Sequence, residues 1–144
     1  MKQIPIGCDH AGFELKQYLI EALTKEGYTF KDYGTHSEES IDYPDFGHPV
    51  AKHVSSEKDN LGIVICGSGN GINMTVNKHA EIRSALCWTE ELAALARQHN
   101  NANIIALPAR FVDKKLALKM VQTFLTTEFE GGRHQRRIEK ITCA

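Results

Sequence analysis

Long apolar runs are missing from this chain: no stretch of its 144 residues approaches the length that spans a membrane. A surplus of charge is missing too. The formal net charge is −1, so no overall field draws the protein toward nucleic acid or anionic lipid. Cysteine is scarce and scattered, and Cys8, Cys66, Cys87 and Cys143 form neither a C-x-x-C pair nor a zinc-finger spacing. The opening Met1-Lys2-Gln3-Ile4-Pro5-Ile6 turns polar too quickly for a secretory signal, so a cytoplasmic protein with free thiols is expected. The glycine-rich segment around Gly67–Gly71 is not a P-loop, because no Gly-Lys-Ser/Thr closes it. Nor is it a dinucleotide fingerprint, because the third glycine would fall on Ile72. Repeats, low-complexity tracts and linkers are absent as well.

What is present reads as one ordinary soluble domain, residues 1–144, with 42% hydrophobic and 24% charged residues and enough length for a proper core. Short apolar runs alternate with amphipathic segments, the βαβ pattern of a parallel sheet covered on both faces. Strands are expected over residues 3–8, 28–33, 62–66, 83–87 and 103–107. A helix over 12–25 carries Phe13, Leu15, Leu19, Ile20 and Leu23 and stops before Gly27. Pro44 opens another, with Phe46, Val50 and Val54 four apart. Thr89 caps 90–98 and Asp113 caps 114–125. A further helix begins around Ile72, and 128–144 form a C-terminal extension. The fold class is therefore α/β: a three-layer α/β/α Rossmann-like sandwich on a five-stranded parallel sheet. Ligands in such folds sit at the carboxyl ends of the strands, so reactive residues should cluster there.

Four constellations follow. Leu61-Gly62-Ile63-Val64-Ile65-Cys66 is a buried strand that ends in a thiol, and Gly67-Ser68-Gly69-Asn70-Gly71 leads from it into a helix. Backbone N–H groups at such a turn cradle an anion, and a thiol beside a positive field is held partly as thiolate. The competing reading makes Cys66 a small buried hydrophobe. After the first strand, Asp9 and His10 could move a proton and hold an anion, or Asp9 could simply cap the first helix. His99 and Asn100 in Arg97-Gln98-His99-Asn100-Asn101 are more polar machinery than a helix stop needs. Arg133 and Arg137 are four apart, so a helix from Gly132 would put both guanidiniums on one face, suited to a phosphate monoester. A solvated basic tail is the competing reading. Together these residues describe proton-transfer chemistry on a small phosphorylated metabolite, with no metal-ligand set and no cofactor fingerprint.

The segments Gly7-Cys8-Asp9-His10-Ala11-Gly12, Asp42-Tyr43-Pro44, Cys66-Gly67-Ser68-Gly69-Asn70-Gly71, Arg97-Gln98-His99-Asn100 and Glu130-Gly131-Gly132-Arg133-His134 occur in this order along nearly the whole chain. In them the chain resembles the ribose-5-phosphate isomerase type B family. The resemblance implies a metal-free aldose–ketose isomerase without cofactor, acting on a sugar phosphate as a homodimer or dimer of dimers. It implies Cys66 as the base, His99 as the proton donor for ring opening and Asp9 as its help at the ring oxygen. Ser68 stands where some members carry threonine and keeps the hydroxyl. Gly67, Ser68, Gly69, Asn70 and Gly71 match the loop that holds the enediolate oxygens. His10, Arg133 and Arg137 match phosphate contacts, Asn100 and Arg110 further substrate contacts, and Tyr43 a pocket residue. One branch of the family uses glutamate as base, and Cys66 puts this chain with the thiol branch. The residues from His99 to Arg110 are expected to reach together into the pocket of a partner's Cys66. Two other readings stay in view: an isomerase of a six-carbon sugar phosphate such as allose or galactose 6-phosphate, and a non-catalytic sugar-phosphate-binding protein.

Overall fold

A computed structural model describes residues 2–143. Five parallel strands, β1 (Ile4–Cys8), β2 (Phe30–Asp32), β3 (Gly62–Cys66), β4 (Ser84–Leu86) and β5 (Ile104–Pro108), form one sheet in the order β2-β1-β3-β5-β4. The helices are α1 (Phe13–Lys25), α2 (Pro44–Ser55), α3 (Asn70–Val76), α4 (Glu90–Asn100), α5 (Lys114–Thr126) and α6 (Arg133–Glu139). No helix of the described residues is long and apolar enough to cross a membrane.

The pleat sorts the core into two halves. In β3, Ile63 and Ile65 pack with Ile105 and Leu107 of β5 against Leu19 and Leu23 of α1, Ala93 and Ala96 of α4, and Met120 and Phe124 of α5. The alternate residues Val64, Cys66, Ile104 and Ala106 face Val50 and Val54 of α2 and Ile72 and Val76 of α3. Successive side chains of a strand point to opposite faces, so an unbroken apolar run fills both layers at once. That is why β3 and β5 read as continuous hydrophobic stretches, and the result is the expected three-layer sandwich.

The central strands lie where the sequence places them, with β3 at 62–66. The edge strands are shorter than expected: β2 spans Phe30–Asp32 within 28–33, and β4 spans Ser84–Leu86 within 83–87. Thr29 and Tyr33 still share backbone hydrogen bonds with Ile4 and Ile6, so the chain beside β2 runs along β1 beyond the strand proper. Thr89 and Asp113 cap α4 and α5 as expected, each side chain accepting from the N–H three residues on. α4 continues two residues past the expected end, because Asn101 takes the left-handed conformation (φ 45°) that closes it. Gly27 (φ 101°) ends α1. α3 starts at Asn70, two residues before Ile72, because Gly69 (φ 79°) already makes the turn.

The chain leaves β1 through α1 toward β2, then returns through α2 to β3 on the other side of β1. The strand order therefore reverses between β1 and β3, and a crevice opens beyond their carboxyl ends.

Candidate active site

The β1–β3 crevice is walled by the two segments that follow those strands. Asp9 is buried, 8% exposed, and its Oδ1 accepts from the Gly12 N–H at 3.2 Å, so the capping reading holds for this residue. The cap fixes a single helical turn, His10–Gly12, at the mouth of the crevice. His10 Nδ1 accepts from the Ile41 N–H at 3.3 Å, which ties the segment between β2 and α2 to the end of β1. As an acceptor on Nδ1, a neutral His10 ring carries its proton on Nε2.

Cys66 is the last residue of β3, 4% exposed, and its carbonyl accepts from the Ala109 N–H at 2.9 Å. Ser68 Oγ accepts from the Asn70 N–H at 3.2 Å, inside the loop. Gly69 gives α3 no side-chain cap, and while the Asn70 N–H is taken by Ser68 and the Asn73 N–H by the Gly69 carbonyl, the N–H groups of Gly71 and Ile72 between them are left to meet an anion. The glycines of the loop are closely approached by neighbouring side chains, most tightly at 69 and 71. A Cβ on Gly69 would lie 2.4 Å from Leu86 Cδ1, at a backbone angle that L side chains rarely take. A Cβ on Gly71 would lie 2.4 Å from the Tyr43 ring, and one on Gly67 would lie 3.0 Å from Arg110 Nη1. Tyr43 and Arg110 are therefore the two flanks of the loop, and the Arg110 N–H donates to the Gly67 carbonyl at 3.0 Å.

The other thiols are different. Burial pushes Cys8 up to about 12 and Cys87 up to about 11, so neither yields thiolate near neutral pH. Cys143 is exposed, far along the chain beyond α6.

The remaining expected residues lie elsewhere. α4 begins beyond the carboxyl end of β4 and ends where β5 begins, which puts His99 and Asn100 at the amino-terminal end of the sheet. α6 packs there: the Glu130 N–H donates to the Gln98 carbonyl at 3.1 Å. The helix expected from Gly132 is present and carries Arg133 and Arg137 on exposed positions. His99 and His134 stack, with ring centroids 4.3 Å apart and planes 11° apart. Glu130 Oε1 stands 3.9 Å from His99 Nε2 and 3.7 Å from His134 Nε2. A depression of about 290 Å³ is lined by His99, Asn100, His134, Arg137, Ile138 and Ile141. Desolvation, then His99 and Arg133, lower His134 below the ordinary histidine range, with Glu130 opposing and Arg137 adding a smaller push the same way.

One chain thus carries two separate clusters. Asp9, His10, Tyr43, the 66–71 loop and Arg110 gather at the carboxyl end of the sheet. His99, Asn100, Arg133 and Arg137 gather at the opposite end. The expectation that His99 and Arg110 reach together into another pocket is corrected here, because Arg110 lies across its own chain's Gly67. β5 separates the two, and its five residues span about 16 Å. Arg97, quoted with His99 in the sequence, is a brace: its Nη1 donates to the Ala102 carbonyl at 2.6 Å and to Asn101 Oδ1 at 3.0 Å.

Residue types alone do not single out Glu130 and His134 as site residues. Their spacing of four ahead of a helix is the available signal, masked by the neighbouring arginines. With His99 they are the trio of possible metal ligands among the described residues, with ligating atoms within 4.8 Å of one another. An imidazole nitrogen binds a metal in its own ring plane, and two planes nearly parallel and stacked do not converge on one ion. The stack would have to open before both rings could ligate.

A thiol at the end of a buried strand beside a glycine-rich turn, at the carboxyl end of a parallel α/β sheet, has the layout of a small-molecule site. The sequence profile of the Ribose/Galactose Isomerase family matches residues 4–141, and the chain belongs to that family. It is 44% identical over 143 residues to ribose-5-phosphate isomerase B of Escherichia coli, covering 99% of this chain and 96% of the relative. Among solved structures, ribose-5-phosphate isomerase B of Clostridium thermocellum superposes with a TM-score of 0.94 at 49% identity, covering 97% of this chain and 95% of that one. The Mycoplasma genitalium enzyme, solved with bound ribulose-5-phosphate, superposes with a TM-score of 0.93 at 45% identity, covering 96% and 93%.

Proposed function

We propose that this chain interconverts ribose 5-phosphate and ribulose 5-phosphate through an enediolate, with Cys66 as the base. As a member of its family it is an aldose–ketose isomerase. The observation that carries the reading is the position of Cys66, at the end of a buried strand beside the uncapped start of α3. As the hemiacetal opens, His99 donates a proton to the ring oxygen, with Asp9 helping there, while the anomeric hydroxyl gives up its proton to water as the carbonyl forms. The Cys66 thiolate then takes the proton from carbon 2 and returns it to carbon 1, while a proton passes from the carbon-2 hydroxyl to the carbon-1 oxygen. Negative charge shifts onto the substrate oxygens, where the N–H groups of residues 67–71 meet it, each essential donor worth ~3–4 kcal/mol in such sites. Ser68 keeps that loop in shape through its bond to Asn70. His10, Arg133 and Arg137 hold the phosphate, Asn100, Arg110 and Tyr43 line the sugar, and binding of the unreactive phosphate orients the reacting carbons.

Since the two clusters lie at opposite ends of one sheet, a complete site takes the Cys66 end of one copy and the His99–Arg137 end of another. An isologous homodimer supplies two such sites. The four free thiols suit a reducing cytoplasm, and no metal or cofactor is required by these steps.

Cys66→Ala should lower kcat by orders of magnitude while ribose 5-phosphate still binds. Mixing inactive Cys66→Ala with inactive His99→Ala protein under subunit exchange should restore about a quarter of the sites, because one of two sites in each mixed dimer is whole. Near-normal turnover by Cys66→Ala overturns the base, and confirmed exchange without recovery overturns the shared site. The family name also covers galactose, so allose and galactose 6-phosphate belong beside ribose 5-phosphate in the same turnover assay.

A further inference from the structure

His134 is the second residue of α6, and unlike its neighbours Arg133, Gln135, Arg136 and Arg137 it is buried, 8% exposed. Among the described residues no side-chain hydrogen bond explains that burial; its ring lies flat against the ring of His99, 4.3 Å away and 11° from parallel. His99 itself sits in the last turn of α4, where its side chain is 41% exposed. A half-exposed imidazole at a helix end is free to change rotamer, and a proton donor that wanders by an ångström loses much of its rate. The flat contact removes that freedom by fixing the plane of the His99 ring.

We propose that His134 is a positioning residue for His99, its ring serving as the platform that sets the orientation of that imidazole and links it to the helix bearing Arg133 and Arg137. The inference rests on the role given to His99 above. The charged groups around His134 are His99 on α4, Glu130 on the preceding loop, and Arg133 and Arg137 on its own helix. Two cationic rings in a 4.3 Å stack would repel, whereas an uncharged ring tolerates a neighbour that gains and loses a proton. Burial and the surrounding cations hold His134 toward its neutral form, which suits the platform role. Glu130, 3.9 Å and 3.7 Å from the two Nε2 atoms, offsets charge on whichever ring carries it. Through the same contact α6 acts twice, since a phosphate drawn to Arg133 and Arg137 docks on the element that holds the ring-opening histidine in place.

A platform needs a flat apolar face and not a nitrogen, so His134→Phe and His134→Ala separate the roles. In His134→Ala, kcat on ribose 5-phosphate falls at least about tenfold with KM within about threefold of the parent. In His134→Phe, kcat returns to within about threefold of the parent. The proton NMR signal of His99 Cε1–H is displaced by the ring current of its neighbour; the displacement disappears in His134→Ala and persists in His134→Phe. Equal losses in both variants would mean that the nitrogen acts chemically, and parental kcat in the alanine variant would mean that no positioning occurs. A rise in KM with kcat unchanged would assign His134 to the phosphate grip instead. Each of these overturns the proposal. Parental turnover by His99→Ala would remove the functional reading beneath it, a failure the ring-current measurement distinguishes because it reports the stack independently of activity. Should the alanine variant fail to fold, the phenylalanine variant and the parental spectrum still decide.

Discussion

Asp32→Ala strands a charge in the interior. Lys16 lies on the inward face of α1 and is fully buried, and its Nζ is 2.6 Å and 2.7 Å from the two oxygens of Asp32 at the end of β2. The surroundings are poorly solvated, as the neighbouring Cys8 thiol shows by its rise to about 12 under burial. Removing one partner of such a pair leaves an uncompensated ion and costs about 3–5 kcal/mol. It also takes away the acceptor for the Gly34 N–H at 2.9 Å, one more buried donor in the loop that leads to Ile41 and Tyr43. Lys16→Met removes the buried ion and leaves Asp32, whose side chain is 28% exposed, in touch with water and Gly34. Its cost should be about 1 kcal/mol. The double variant Lys16→Met/Asp32→Ala should therefore be more stable than Asp32→Ala alone, by about 2 kcal/mol. Urea unfolding followed by circular dichroism, at one fixed protomer concentration, measures all three. In thermal melts the single Asp32→Ala change should appear as a loss of roughly 6–20 °C. An Asp32→Ala variant within about 1 kcal/mol of the parent, or strictly additive costs without rescue, would refute the buried-ion account.

The remaining expectations are shorter. In a Cys143→Ser background, iodoacetamide should inactivate through Cys66, with ribose 5-phosphate protecting; peptide mapping should find Cys8 and Cys87 unmodified, since burial raises both thiols to about 12 and about 11. Folding stability should decline as pH falls below about 6.5, where an unfolded histidine takes up a proton that the folded protein resists. His79, lowered by burial and by His48 at 2.7 Å, and His134 are the groups responsible, because both sit below their ordinary value when folded. A stability plateau from pH 7 down to pH 5 would contradict that sign. Gly69→Ala should cost about 1–3 kcal/mol in urea melts and most of the turnover, because a Cβ at φ 79° meets Leu86 Cδ1 at 2.4 Å.

Much of the molecule is legible in its residues, for physical reasons that differ by element. β3 can be bounded from sequence because its apolar run is buried on both faces and stops at a glycine that must leave the sheet. β2 and β4 lie at the edges, where each strand is paired on one side only, so their apolar pattern outlasts their ladder. Asp9 can be read as a cap or as a reactive acid; the structure shows the cap, and a buried carboxylate at the mouth of the crevice is available for both roles. The Cys66 loop announces itself because close steric approach demands glycine at 69 and 71, with Gly67 beside the movable end of Arg110. What sequence conceals is distance. His99, Asn100 and Arg110 are near neighbours along the chain, but β5 carries the backbone through the whole sheet between them, and nothing in the local residue types records that traverse. The same concealment hides His134, whose contact with His99 crosses from α6 to α4.

The alternation along β3 also constrains how this enzyme can change over evolutionary time. Cys66 shares the parity of Val64, and that parity aims it at the α2 and α3 layer. Inserting or deleting one residue within β3 would invert every position beyond the lesion and turn the thiol toward α1, α4 and α5, on the far side from its loop. A two-residue change would restore the facing but advance the thiol along the strand by about 6.6 Å, clear of the crevice. Length variation at this strand is thus barred in odd steps by the pleat and in even steps by translation. Lineages carrying this chemistry should vary Ile63, Val64 and Ile65 within apolar types while holding the residue count between Gly62 and Cys66 at a single value.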